Sequence, residues 1–423
     1  MSGPGTGPGR GWLLRLVITF AFAQGAVSMA RPAVSYRALA LGADARAVGI
    51  IAGVYAVLPL LAAVPLGRRT DHGRCAPLLP VGVALIGIGC ALSGLAESLA
   101  AMAAWSAVMG LGHLVFVIGA QSLVARQSGP GDHDRNFGHF TIGASLGQLI
   151  GPIAAGVLVD ERDGQMARTS ALALLVSAAV AVCAYAAMWR IEQRRGAVRE
   201  KKAAAAKVPV HRILRTRGVP GGIYTSLAVL SAADILTAYL PVVGEERGIA
   251  PAVVGVLLSL RAGASVLCRV ALPPMARLLG RDVLLMVSCA LSAGLCVALV
   301  FPAPVWVLAV ALTLLGFFLG VGQPLSMTTV VQAAPAEARS TALALRLSGN
   351  RLGQIAAPAS AGLVAGVAGT AAPFAMLGGL LLTAAGAAGL PLVRRRERDG
   401  AHSGAPCAAE TSTVSLKGRR TGS

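Results

Sequence analysis

Four charged side chains, Arg31, Asp234, Arg261 and Arg351, interrupt long apolar stretches of this sequence, accompanied by His113 and the amides Gln148, Asn350 and Gln354. A guanidinium offers a planar fork of donors matched to a carboxylate or phosphate, so the arginines are candidates for holding an anion. Arg351 and Gln354 are three apart, and Asn350 and Gln354 four apart, so all three share one side of a helix. Asp234 is the only acidic residue deep in an apolar run. Two roles fit it: a proton carrier that competes with an anion for a neighbouring arginine, or one half of a permanent structural ion pair. His113 reads as a hydrogen-bonded packing residue before a proton carrier. No paired carboxylates, activated nucleophile, zinc spacing or phosphate-binding loop accompanies these residues, so neither cofactor nor metal is expected. The chemistry is binding rather than bond making.

The elements that position these groups follow from composition. Of 423 residues, 55% are hydrophobic and only 13% charged, whereas a soluble protein carries about a quarter charged residues. Apolar runs of about twenty residues, the length that crosses about 30 Å of hydrocarbon, recur along the chain. These runs imply an all-α polytopic membrane protein. Their expected spans are 13–36, 46–66, 76–96, 99–123, 137–159 and 167–190. The second set is 219–243, 250–272, 281–301, 304–332, 340–364 and 369–392. On that frame Asp234, Arg261 and Arg351 fall near mid-depth of spans 7, 8 and 11, Arg31 in the outer third of span 1, and His113 centrally in span 4. A charge at that depth costs about 2.5–3.5 kcal/mol on insertion scales, so each needs a purpose.

The net charge of +19 does not imply nucleic acid. Its arginines and lysines crowd into alternate connections, above all around 190–217 and after 393, which reports orientation. Both termini are then expected in the cytoplasm of a bacterium, with the chain in the inner membrane. The expected organisation is a cytoplasmic N-terminus (1–12), a six-helix bundle (13–190), a charged linker (191–218), a second bundle (219–392) and a disordered cytoplasmic tail (393–423).

The two bundles are copies. "GASLGQLIGP" at 143–152 returns as "GNRLGQIAAP" at 349–358, 206 positions later, and the same offset relates Gly42 to Gly248, Gly49 to Gly255 and Gly156 to Gly362. Gly143, Gly147, Gly151 and Gly156, with Gly349 and Gly353, are spaced to let helix backbones approach closely. Pro152 and Pro358 each remove a backbone donor and kink the fifth helix of each copy. The arginines break the symmetry: Ser145 stands opposite Arg351 and Tyr55 opposite Arg261. Twelve transmembrane helices in two pseudo-symmetric bundles are the expected fold, the pattern of transporters whose halves move about a central site.

Between spans 2 and 3 the chain reads "GRRTDHGRC", with Gly67, Arg68, Asp71, Gly73 and Arg74 spaced as G-x-x-x-D-x-x-G-R. This resembles the cytoplasmic loop motif of the major facilitator superfamily, and the resemblance covers about 13–392. It implies a gating role for Arg68, Asp71 and Arg74, which latch the bundles when the cavity faces outward. It further implies a central cavity lined by spans 1, 4, 7 and 10 with spans 2, 5, 8 and 11 beside them, which Arg31, His113, Gln148, Arg261, Asn350, Arg351 and Gln354 can face for substrate, with Asp234 for proton coupling. The glycine-proline run of span 5 is similar to the family's antiporter motif and favours export. Span 4 departs from the drug-proton antiporters, which carry an arginine where this chain has Ser106. The expected function is proton-coupled export of a small organic solute by alternating access. Uptake of an organic anion, on the strength of the arginines, and a non-transporting sensor are the alternatives.

Overall fold

A computed structural model describes residues 11–72, 77–128, 133–160, 164–188, 210–216, 218–334 and 339–403. The N-terminal half contains α1 (Gly11–Ala40), α2 (Ala45–Val54), α3 (Val57–His72), α4 (Leu78–Leu95), α5 (Leu99–Gln127), α6 (His133–Leu158) and α7 (Met166–Ala187). A short α8 (Val210–Arg215) precedes α9 (Val219–Glu246), α10 (Pro251–Leu279), α11 (Arg281–Ala298), α12 (Val305–Ala333), α13 (Arg339–Ala368) and α14 (Ala372–Ser403). Most of the expected linker and residues 404–423 of the tail lie outside the described residues; α14 runs past residue 393, where the tail was expected to begin.

Eleven spans among the described residues meet length and hydropathy requirements for crossing a membrane, α2 and α3 together forming one. The twelfth crossing is α13, whose apolar run is diluted by Arg346, Asn350, Arg351 and Gln354. The helix least suited to lipid is therefore the one richest in candidate site residues. Each half packs around its own apolar core, one containing Leu16, Ile86, Phe116 and Leu174, the other Leu236, Leu258, Leu312 and Leu381. The outside is apolar as well: Val270 is 75% and Val367 86% exposed, the inverted surface that lipid tails stabilise.

Span 2 was expected as one helix, and the structure breaks it at Tyr55–Ala56. Pro59 has no N–H to give to the Tyr55 carbonyl, which ends α2 there. A Cβ on Gly110 would collide with that freed carbonyl oxygen, so α5 approaches it with only a glycine. The break thus anchors Tyr55 against α5.

The halves meet on the face opposite the termini, here the far face, at two crossings related by the internal repeat. A Cβ on Gly49 would strike the carbonyl oxygen of Pro358, and one on Gly255 that of Pro152. A Cβ on Gly156 would meet the Pro251 carbonyl and one on Gly362 the Arg46 carbonyl. Only glycine permits backbones this close. The turns leading into α2 and α10 share a further pair, Gly42 (φ 81°) and Gly248 (φ 64°), both in the left-handed region that other residues avoid. Tyr239, fully buried, adds an unsymmetrical tie by donating its hydroxyl to the Ala45 carbonyl at 2.8 Å. Two further arginines hold helix ends on this face: Arg37 donates to the carbonyls of Ala96 and Ala167, and Arg247 to those of Leu299 and Val300.

Candidate functional site

Where the two halves face each other at mid-depth, one polar network crosses between them. Arg31 on α1 donates from Nη1 to Asp234 Oδ1 on α9 at 2.6 Å. The second carboxylate oxygen accepts from Gln354 Nε2 at 2.9 Å, and Gln354 Oε1 in turn accepts from Arg351 Nη1 at 2.8 Å. In the other direction the Arg31 guanidinium lies over the Tyr55 ring, 5.3 Å from its centroid. The Tyr55 hydroxyl is 2.8 Å from His113 Nδ1, and His113 Nε2 is 3.1 Å from Gln24 Oε1. Gln24 closes the chain by donating to Ser28 Oγ at 3.2 Å.

Asp234 is 4% exposed and is the single buried carboxylate among the described residues. Both its oxygens are occupied, one by a charge and one by an amide. A buried ion pair persists only when further hydrogen bonds satisfy the remaining lone pairs, and Gln354 supplies that bond. Arg351 by contrast has a neutral amide as its partner. Arg261, on α10, feels the charges of Arg31 and Asp234, yet its Nε is buried without a hydrogen-bond partner. Asn350 Oδ1, on a residue 6% exposed, is likewise buried and unpartnered. Among the described residues, unmet hydrogen-bonding capacity near the network thus includes Arg261 on α10, Asn350 on α13 and Ser231 on α9.

The repeat explains the placement. Gly110 lies against the Tyr55 carbonyl and Gly316, 206 positions later, lies against the Arg261 carbonyl. The backbones of the two copies are held alike, so Tyr55 and Arg261 leave them at equivalent points and reach toward the same centre. Ser28 and Asp234 are also repeat mates, as are Arg31 and Thr237. Opposite charges have thus been set one turn apart on equivalent helices. Above the pair toward the far face lies a small cleft lined by Arg31, Ser35, Tyr55, Ser106 and Thr237 among others.

Of the expected site residues, Arg31, His113, Asp234, Arg351 and Gln354 are joined in the network, and Arg261 stands beside it. Gln148 does not join. It is half-buried on α6, and the repeat mate of Asp234 on the helix it faces is Ser28, which already accepts from Gln24. Gly143, Gly147 and Gly151 pack against Val17, Gly25 and Ser28 of α1, and Gly353 against Leu227 of α9. Gly349 sits near Ile223. Gly67, Arg68 and Asp71 fall in the last turns of α3, while Gly73 and Arg74 lie outside the described residues.

Sequence reasoning passed over Tyr55 and Gln24 as site residues. Their signals were present: Tyr55 is the repeat mate of Arg261, and Gln24 is an amide inside an apolar run. Arg346 lies close enough to the terminal end of its span for a long side chain to reach toward the membrane surface, yet it stays inside the bundle. Arg346 is 6% exposed and donates from Nη2 to Gln323 Oε1 at 2.7 Å and to the Gln323 carbonyl at 3.1 Å. Gln323 in turn donates to the Ser226 carbonyl at 2.9 Å. The repeat mates of Arg346 and Ser226 are Phe140 and Phe20, which stack at 4.4 Å. A stacked aromatic pair in one half has become a polar clamp in the other, which keeps Arg346 inside the bundle. Arg269 is exposed.

Comparison with known proteins agrees with this architecture. A mutant form of the nucleoside transporter NupG superposes with a TM-score of 0.74 over 89% of this chain and 98% of its own, at 14% identity. A POT family transporter in complex with 5-aminolevulinic acid gives 0.72 over 90% and 96%, at 12% identity. A bacterial homologue of the human lysosomal transporter Spinster, inward-facing and occupied, gives 0.70 over 91% and 97%, at 13% identity. At these identities the likeness is one of fold. No protein of curated function matches the chain by sequence. The family model described as Major Facilitator Superfamily matches residues 16–305 and again 227–420. With the duplicated six-helix unit, the far-face crossings and a model match along almost the whole length, the chain belongs to the major facilitator superfamily, a family of membrane transporters.

Proposed function

We propose that the protein is a proton-coupled secondary transporter of a small organic anion, working by alternating access in a bacterial inner membrane with both termini in the cytoplasm. The observation that carries this reading is the charge imbalance at the centre. One carboxylate, Asp234, meets three guanidiniums, Arg31, Arg261 and Arg351, and is committed to the first of them. Uncompensated guanidiniums at membrane depth are costly unless a ligand completes them. An anion arriving at Arg351 competes with Gln354 Oε1 for the guanidinium and so disturbs the amide that steadies Asp234. Protonation of Asp234 releases Arg31, so proton and solute are coupled through one hydrogen-bonded chain. The glycine-proline run of α6 packs against α1 and α10, and its similarity to the antiporter motif supports export. Rocking of the halves about the centre would open the terminal face while the Gly49–Pro358 and Gly255–Pro152 crossings stay closed, and the reverse. The Arg68–Asp71–Arg74 loop would bias that exchange.

The test uses proteoliposomes loaded with a pH-sensitive dye and challenged with panels of organic anions, neutral compounds and cations. An anion should change the lumenal pH, and Asp234→Asn should abolish that change while exchange of the same labelled anion persists. Proton flux driven only by neutral or cationic compounds contradicts the reading, as does undiminished flux with Asp234→Asn.

A further inference from the structure

The Arg31–Asp234 pair joins α1 of one half to α9 of the other, so a rocking motion that opens the far face parts it. A buried charge that loses its partner is strongly destabilising. Exchange between two states therefore needs a second resting place for each member of the pair, and it must lie in that member's own half.

Arg31 already has one. Its guanidinium lies over the ring of Tyr55, also of the N-terminal half, at 5.3 Å from the centroid, and an aromatic face attracts a desolvated cation. For Asp234 the available group is Arg261. Within the C-terminal half α10 packs against α9, and the two residues lie at comparable distances from the far-face ends of their helices. Arg261 feels the charge of Asp234, and its Nε is buried without a hydrogen-bond partner. The remaining groups beside Asp234 are already bonded: Gln354 Nε2 holds Oδ2, and Arg351 donates to Gln354 Oε1. Both sit on α13 of the same half and travel with Asp234, so only Oδ1 loses its partner when Arg31 leaves. Arg31 also repels Arg261 in the present arrangement. Its departure removes that repulsion at the moment the carboxylate oxygen becomes free. The two effects favour the same new pair.

The two resting places are copies of one position. Tyr55 and Arg261 stand 206 residues apart, and Gly110 and Gly316 hold their carbonyls alike. One copy carries an aromatic face suited to the cation, the other a guanidinium suited to the carboxylate. We infer that Arg261 is the second counter-ion of Asp234: when the far face opens, Asp234 Oδ1 passes from Arg31 to Arg261, and Arg31 stays on Tyr55. This rests on the alternating-access reading above and goes beyond it by assigning Arg261 as the positioning residue that sets the balance of the two states. With the far face closed, Arg261 is free to meet an anion; with it open, the carboxylate takes its place.

The test reads that balance in the purified full chain in lipid nanodiscs, from the distance between spin labels at the far-face ends of α2 and α13. All variants are compared in the Tyr239→Phe background, whose lost far-face bond brings the opened state into view. Arg261→Gln should lower the ratio of the longer to the shorter distance about tenfold, and Arg31→Gln should raise it by a similar factor. Arg261→Tyr, which copies the residue at the equivalent point of the other half, should act as Arg261→Gln does, and Arg261→Lys, which keeps the charge, should preserve most of the balance. Once Asp234→Asn has removed the carboxylate, Arg261→Gln should cause no further shift. That dependence separates a counter-ion from a residue that only packs. A shift of equal size with and without Asp234→Asn overturns the inference. So does an unchanged balance in Arg261→Gln, and if Arg31→Gln still moves the balance the alternating-access reading stands. A single distance in every variant overturns both.

Discussion

Arg31 and Asp234 form a 2.6 Å ion pair between the first helix of one half and the first helix of the other. Their sites differ by one helical turn under the internal repeat, so the pair is the point where duplication was turned into complementarity. It lies on the path along which the halves must move, which makes it a tie to be broken in each cycle as well as a source of stability.

Breaking a buried pair from one side leaves a charge uncompensated, at a cost of about 3–5 kcal/mol. Arg31→Gln should therefore lower the midpoint of thermal unfolding sharply. Asp234→Asn should lower it less, because Gln354 can still bond the amide. The double variant should recover most of the loss, and a double-mutant cycle on unfolding free energies would measure the coupling. Additive losses would mean that the pair does not act as a unit.

Tyr239 holds the far face through a bond to the Ala45 carbonyl. Tyr239→Phe removes that bond without changing the packed ring and should weaken closure by about 0.5–1.5 kcal/mol. A cysteine at Thr237, which lines the cleft above the ion pair, should then react faster with a small membrane-impermeant thiol reagent applied from the far face. An unchanged rate would show that the glycine crossings alone hold the gate.

Those crossings make a stronger prediction. Gly49→Ala and Gly255→Ala each drive a methyl group into a proline carbonyl of the opposite half, and overpacking of this kind costs about 1–3 kcal/mol. The two variants, being related by the repeat, should widen the far-face separation of α2 from α13 and of α6 from α10 respectively, measured between paired spin labels. Gly379→Ala, which meets no neighbour, should leave both distances unchanged.

Tyr55 contributes a ring to Arg31 and a hydroxyl to His113. Tyr55→Phe should cost about 1 kcal/mol of stability through the lost hydrogen bond. Tyr55→Leu should cost more, since the cation–π contact, worth up to about 2 kcal/mol when desolvated, goes with it. Chemical denaturation of the two variants would separate these contributions, and equal losses would assign the whole effect to packing.

Much of this fold was legible because lipid imposes length and apolarity on every crossing, and because the repeat could be read from shared glycines and prolines. Pairings between distant side chains were not legible. Arg31 was recognised as a buried charge, but nothing in the order of residues says that Asp234 rather than an anion completes it. The break at Tyr55 escaped notice because Pro59 acts on a carbonyl four residues earlier, and a proline inside a span more often bends a helix than ends it. The role of Arg346 is not legible either, because its depth in the span suits a side chain reaching for water equally well. Its partner Gln323 lies on another helix, and only packing brings the two together.

Under the anion reading, Arg261 and Arg351 bind the solute's negative charge. It is tested most directly by titrating Arg261→Gln, Arg351→Gln and the surface control Arg269→Gln with the tightest-binding anion of the panel. Each central substitution should weaken binding by about 1.5–3 kcal/mol, the usual worth of a hydrogen bond to a charged group, with the unfolding midpoint kept and the control unaffected. Full-affinity binding by well-folded Arg261→Gln and Arg351→Gln proteins would contradict the claim.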